Sequence, residues 1–205
     1  ILPQADFRLA FSPAAPLRFY CGGNQPKILK IAGEIMDGTL IGNHYIPLAR
    51  SGRLDPLLGI ARAAAQTKPS GKALFDICEL DISVSRDRHR ALEFARPYAA
   101  RILLNLELMG FSDDEFHALR IPPRLVQSLK EACAGGATVR AASTLVSDDA
   151  LTGSFVAGSP EECRDQIAPL IDEAERLKFG QIAFAKLGPD YDEAIRLLRD
   201  QVLNT

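Results

Sequence analysis

The chain lacks any apolar run that approaches the ~20 residues a membrane-crossing helix needs, so no membrane role is expected of it. It also lacks a charge bias. Lys and Arg number 24 against 26 Asp and Glu, the formal net charge is -2, and the basic residues are interleaved with acidic ones. No stripe of aromatic and basic residues stands out, which argues against a nucleic-acid partner. The four cysteines, Cys21, Cys78, Cys133 and Cys163, show no C-x-x-C spacing, and they read as reduced packing residues of a cytoplasmic protein. The three histidines, His44, His89 and His117, have no partner at metal-ligand spacing, so no metal site is expected. No repeat of about 20–50 residues and no low-complexity linker interrupts the chain. Residues 1–205 therefore read as a single domain or part of one. The sequence has no initiator methionine and opens on loop-like ILPQADFRLAFSPAAP, as though entered in mid-fold. Asp6, Arg8 and three prolines before Leu17 do not match a secretory signal.

What remains is ordinary globular material, 47% hydrophobic and 24% charged over 205 residues, enough for one substantial core. The most informative stretch is LRFYCGGNQPKILKIAGEIMDGTLIGN, residues 17–43. It predicts an apolar strand, a glycine turn, a helix and a second strand. Gly22 and Gly23 let a ligand approach the main chain. Pro26 suits the first helical turn, where a missing N–H costs nothing. Free N–H groups at that helix start, with Lys27 nearby, favour a phosphate.

Further elements alternate along the chain. Strands are expected at 17–21, 39–41, 73–84 and 181–187. Ile28, Leu29, Ile31, Ala32 and Ile35 form a broad apolar face on the first helix. A helical stretch over 45–65 is broken near Gly52 and Pro56. A long helix runs over 86–109, with Ser85 as its expected cap and Gly110 as its stop. Residues 111–150 read as an irregular helical insertion, divided by Pro122, Pro123 and the loop at 134–137. Ser159, Pro160 and Glu162 make a capping-box start for a helix reaching about Leu177. A last helix begins near Pro189. Strands separated by helices predict a parallel α/β sheet, either open or in a barrel. A full (β/α)8 TIM barrel needs eight such units and typically ~250 residues.

At PLRFYCGGNQPKILKIAGEIMDGTLIG the chain resembles the luciferase-like monooxygenase superfamily, especially the branch with methylenetetrahydromethanopterin reductase and other deazaflavin-dependent oxidoreductases. The likeness continues at SVSRDRHRALEFARPYAARIL and at VAGSPEECRDQI, which is similar to the family's G-T-P-E-E helix start. It spans about Leu9 to Leu203. The resemblance implies a TIM barrel of which this chain covers about the last four βα units plus the helical insertion. It implies an oxidoreductase that transfers hydride to, or activates oxygen for, a small-molecule substrate through a deazaflavin coenzyme of the F420 type or FMN, and a homodimer built on long helices. Carried over residue by residue, Cys21, Gly22 and Gly23 would line the ribityl and phosphate part of the cofactor, with Asn24 and Gln25 as donors and Lys27 adding charge.

His44, at the carboxyl end of the second strand, is the one catalytic candidate, as a proton donor. The simpler reading is a hydrogen bond to a neighbouring loop, because no base, nucleophile or metal partner is visible. Glu79 and Asp81 share one side of their strand and Asp76 takes the other. Solvent-facing or salt-bridged roles suit all three better than a catalytic pair. Lys186 either reaches an anion or is an ordinary solvated lysine. Two alternatives to the oxidoreductase remain open. One is a catalytically silent cofactor-binding or dimerisation module without the amino-terminal half. The other is a different phosphate-binding barrel, such as a sugar-phosphate isomerase or aldolase.

Overall fold

The computed structural model describes residues 15–68, 71 and 73–204. The loop-like reading of residues 1–14 lies outside these. In chain order the elements are β1 (Tyr20–Gly22), α1 (Pro26–Ile35), β2 (Gly38–Ile41), α2 (Tyr45–Arg50), α3 (Leu54–Ala65), β3 (Ile77–Val84) and α4 (Arg88–Leu108). Then follow α5 (Asp113–Ala118), α6 (Pro123–Ala134), α7 (Val139–Ala142), α8 (Asp148–Ser154), β4 (Val156–Gly158), α9 (Pro160–Arg176), β5 (Gln181–Ala185) and α10 (Tyr191–Leu197), which runs on into a π-helical turn at Leu198–Val202. No helix among the described residues is long and apolar enough to cross a membrane.

Every strand pairing is parallel. β1 pairs with β2, with Gly22 opposite Leu40, and β2 pairs with β3, with Leu40 opposite Ile77. Ile77 and Cys78 also face Gln181 and Ile182 of β5. A strand has two edges, so β2 and β5 flank β3 on opposite sides. The Val84 N–H donates to the Leu187 carbonyl, beyond β5, whereas the next N–H, that of Ser85, donates to Gly158 of β4. Successive N–H groups point to opposite edges. β4 therefore lies on the β2 side of β3, beyond the end of β2. The principal order is β1-β2-β3-β5, each strand beside its predecessor, and β4 is a short addition that the sequence reading did not anticipate.

β3 is the spine because it is buried along most of its length. Cys78, Leu80, Ile82 and Val84 on one face are at 0% exposure, and Asp81 and Ser83 on the other are at 2% and 0%, as expected for a strand covered on both faces. α1 packs on α3 through Gly33, where an added Cβ would lie 2.1 Å from the Ala61 carbonyl oxygen. α1 buries Leu29, Ala32 and Gly33 but leaves Ile28, Ile31 and Ile35 exposed. This chain therefore covers only part of the apolar face read from the sequence.

Helix starts follow local chemistry. Ser159 accepts from the Glu162 N–H while the Glu162 carboxylate accepts from the Ser159 N–H, as the sequence predicts. Ser112 and Glu115 repeat the device at α5. The cap of α4, however, is Asp87, whose carboxylate accepts from the Arg90 N–H, and not Ser85. Ser85 is committed elsewhere, since its hydroxyl donates to Glu193 and accepts from the Asp87 N–H. Gly52, at φ 73°, and the turn around it separate α2 from α3, where the sequence suggested a break.

Candidate functional site

Strands β1 and β2 end side by side, and their carboxyl-terminal turns meet the end of α4 around a cavity of about 460 Å³. Gly22, Gly23, Asn24 and Gln25 supply one wall, and Leu40, Gly42, Asn43 and His44 a second. Asn105, Leu108 and Met109 close the third. Two of the walls bring together most of the residues singled out in the sequence. Cys21 and Lys27 are not among the lining residues. The alternation of β1 sends the Cys21 side chain to the sheet face opposite Gly22, and Lys27 is exposed on α1.

The floor is bare main chain. A Cβ at Gly22 or at Gly42 would meet nothing within 4 Å, so both glycines border open space. The first helical bond of α1 runs from the Leu29 N–H to the Gln25 carbonyl, which leaves the earlier N–H groups without an intrahelical acceptor. Gln25 makes no side-chain cap, and no acidic residue occupies the first turn. The positive end of the helix dipole is therefore not neutralised by this helix's own side chains.

His44 is the N-cap residue of α2, and its Nδ1 lies 3.0 Å from Asn24 Nδ2. A hydrogen bond from His44 to a neighbouring loop, one of the two sequence readings, is present. Burial pushes its pKa below the ordinary value, because the charged imidazolium loses its hydration. Asn24 Oδ1 and His44 Nε2 are both shut off from water and have no hydrogen-bond partner.

The α4 wall is held by a residue that sequence reasoning did not single out. Arg53 donates to the Met109 and Gly110 carbonyls at 2.9 and 2.6 Å, pairs in bidentate fashion with Glu115, and lies 4.2 Å from the Phe111 ring centroid. The Arg53 hydrogen bond, reinforced by Ser112, holds the Glu115 carboxyl down at about 2. A second pocket of about 260 Å³, lined by Arg53, Leu48 and Pro56, shares Asn24, Gln25 and Met109 with the first. No sequence signal marks Arg53 and Glu115 as partners, since 62 positions separate them.

The charged residues in β3 and just before it divide as the strand alternation requires. Asp76 is buried, accepts from Thr39 Oγ1 at 2.7 Å and pairs with Arg62 at 3.0 Å, a salt-bridged role as expected. Glu79 and Asp81 face Ala183 and Ala185 across the ladder. Lys186 lies 4.0 Å from Glu79 and 5.8 Å from the centroid of the Tyr98 ring, so it is not an ordinary solvated lysine. Lys186 and Leu187 both have left-handed backbones, at φ 69° and 50°, and the Gly188 N–H turns back to the Lys186 carbonyl. Among the described residues, no group of three or more His, Cys, Asp or Glu side chains is arranged to hold a metal ion.

The sequence profile of the luciferase-like monooxygenases matches residues 3–200. The chain belongs to this family. It is 26% identical over 203 residues to the 5,10-methylenetetrahydromethanopterin reductase of Methanolobus tindarius, covering 96% of this chain and 56% of that protein. The enzyme of the same name from Methanopyrus kandleri is 26% identical over 205 residues, with 97% and 53% covered. Among solved structures, the coenzyme F420-dependent tetrahydromethanopterin reductase from Methanopyrus kandleri superposes with a TM-score of 0.66 at 23% identity, covering 91% of this chain and 50% of that one. An F420-dependent secondary alcohol dehydrogenase gives 0.59 at 18% identity, with 95% and 50% covered. These structural likenesses establish the fold. The chain thus spans about half the length of the relatives it matches, and with them it is a luciferase-like α/β protein with a parallel sheet.

Proposed function

We propose that this chain is the carboxyl-terminal part of a (β/α)8 barrel, contributing about its last four βα units and a helical insertion, in an oxidoreductase that works through a bound deazaflavin of the F420 type. The observation that carries the reading is the cavity itself. It lies at the carboxyl ends of parallel strands, where barrel enzymes place their chemistry, and it combines a glycine floor with an uncapped helix start. The open space over Gly22 and Gly42 suits a group with an extended polar chain and an anionic end.

When bound, such a cofactor supplies hydride transfer between its ring and an electrophilic carbon of a small organic substrate. The residues present would hold and orient it. Gly22 and Gly23 admit close approach of the main chain. Asn24 and Gln25 offer amide donors, and the first turn of α1 faces an anion with Lys27 adding long-range charge. Leu40 and Met109 give the other side an apolar lining. FMN is the alternative cofactor, and the deazaflavin is preferred because three relatives that match most of this chain carry F420 in their names: the reductase and secondary alcohol dehydrogenase structures above, and an F420-dependent glucose-6-phosphate dehydrogenase from Nakamurella multipartita that is 25% identical over 193 residues.

The edge of β1, unpaired among the described residues, and the exposed Ile28, Ile31 and Ile35 are where further βα units would continue the barrel. On this reading residues 1–205 are one domain, and the whole enzyme is a homodimer of the cytoplasm. The test is titration of the oxidised deazaflavin coenzyme, and separately FMN, into the protein while the fluorescence of each is followed. Saturable binding of the deazaflavin supports the reading, and absence of binding to either rejects it. Binding of the oxidised coenzyme, without reduction of any carbonyl or imine substrate when the reduced coenzyme is supplied, would favour the silent module, which the short span of the chain against its relatives also suits.

A further inference from the structure

We infer that the cavity between α2, α8, α9 and the turn after α5 is a second anion site, in which Arg50 and Arg120 together bind the phosphoryl group of a small organic phosphate.

This cavity has a volume of about 530 Å³ and shares no lining residue with the one at the strand ends. Arg50 is the last residue of α2, and Arg120 lies in the turn that joins α5 to α6. Both line the cavity and both are exposed, so a ligand there has access to them. Main-chain contacts set the walls. An added Cβ at Gly153 of α8 would lie 2.0 Å from the Leu119 carbonyl oxygen, which fixes α8 against the turn that carries Arg120. Arg50 donates to the Thr152 carbonyl, which ties α2 to the same helix.

Charge in this cavity is unbalanced. Among the described residues neither Arg50 nor Arg120 forms a salt bridge, whereas Arg53, Arg62, Arg88, Arg96 and Arg176 all do. Partial burial, and after it the charge of Arg120, lowers the Arg50 pKa, so the two cations stand near enough to oppose each other. Guanidinium groups stay protonated all the same, and the repulsion persists at any working pH. Asp165 is the one carboxylate of the lining, and it also forms no salt bridge among the described residues. Gln166 is engaged elsewhere, since its side chain donates to the Ala157 carbonyl and accepts from the Ala157 N–H. Two like charges that the fold holds together without a partner are completed by an anion.

The geometry of the donors selects the anion. Each guanidinium presents parallel N–H groups that match two oxygens, and a carboxylate has only two oxygens in all. A phosphoryl group has more and can bridge both arginines. The cavity is many times the ~30 Å³ share of one water, which leaves room for an organic part beside the phosphoryl group.

Inorganic phosphate is the probe, and because it can also meet the start of α1 the readout is local. The Nε–Hε signals of Arg50 and Arg120 in 1H–15N spectra, assigned by their loss in Arg50→Gln and Arg120→Gln, are followed during a phosphate titration at constant ionic strength. Both should move together and saturate, and acetate at the same concentrations should leave them in place. Static signals, or a drift linear in phosphate, overturn the site. An equal response to acetate overturns the phosphoryl assignment.

In Arg120→Gln the Arg50 signal should report phosphate binding weakened on the order of tenfold, the loss of one charge-assisted contact. Arg120→Lys keeps the charge without the fork and should fall between. Unchanged affinity in Arg120→Gln overturns the bridging role. Asp165→Asn tests whether the protein supplies its own anion: an unaltered urea midpoint is expected, and a clearly lower one would mean that Asp165 pairs with the arginines and leaves no site. The inference stands apart from the cofactor reading, since a protein that binds no deazaflavin can still show these shifts.

Discussion

The Tyr45 hydroxyl donates to the Leu170 carbonyl at 2.6 Å across 125 positions of sequence, joining the helix that follows β2 to the helix that precedes β5. Tyr45 is at 0% exposure and its ring meets Phe179 edge-on, with centroids 5.7 Å apart. Burial, aided by nearby Cys78 and Glu173, drives the phenol well above its ordinary pKa, so it remains a donor at any accessible pH. Tyr45→Phe keeps the ring and loses the bond. It should cost about 1 kcal/mol, the usual net worth of one neutral hydrogen bond, read as a lower urea midpoint with an unchanged slope.

The contact between α1 and α3 tests packing against propensity. Alanine is the better helix former by roughly 1 kcal/mol, so Gly33→Ala would stabilise an exposed helix. Here the new methyl would meet the Ala61 carbonyl oxygen at 2.1 Å and the Ala64 Cβ at 2.7 Å, and neither can move without shifting α3. Overpacking of this kind costs about 1–3 kcal/mol, and net destabilisation is expected. Because α1 starts at the cavity, the same variant should also weaken coenzyme binding. A Gly33→Ala protein as stable as the parent would mean that the helices are free to move apart.

The thiols should divide into two classes. Cys78 and Cys163 are buried, and burial pushes both up to about 12, so almost no thiolate is present at neutral pH. Cys21 and Cys133 are partly accessible. Brief iodoacetamide treatment of the native protein, followed by peptide mass analysis, should modify Cys21 and Cys133 and spare the other two until denaturant is added. Early alkylation of Cys78 would show that β3 is less well covered than its burial implies.

These features differ in how far the sequence discloses them. The capping box at Ser159 and Glu162 is local, three residues and one geometry, and it is legible without a fold. So is the helix start at Pro26. Strand β4 is three residues, Val156–Gly158, and exists as a strand because Ile82–Val84 lie beside it, so no window of sequence could reveal it. The Asp87 cap was missed because Ser85 has equal local credentials, and a distant residue, Glu193, decides between them. At the site, the glycine turn and His44 were visible as residue types at strand ends. Their union through Asn24, and the α4 wall pinned by Arg53, depend on contacts 20 and more positions apart, where spacing carries no information.

Asp81 gives the clearest dependence on pH. It is 2% exposed on β3, its Oδ1 has no partner, and burial raises its carboxyl to about 6, with Glu79 adding to the rise and Lys186 opposing it. In the unfolded chain the same carboxyl ionises near its ordinary value of 3.8. Between those two values the native state binds more protons than the unfolded state, so this group makes stability fall as pH rises. Below about 4 both states are protonated and the group contributes nothing adverse. Above about 6 both are ionised and the full penalty applies, on the order of 3 kcal/mol for a shift of about two units. Asp81→Asn keeps the shape of the protonated acid and cannot ionise. Urea denaturation should find the variant close to the parent at pH 4 and more stable by about 2–3 kcal/mol at pH 7.5. A difference that does not change across this range would mean that Asp81 ionises normally in the folded protein, with Lys186 outweighing burial.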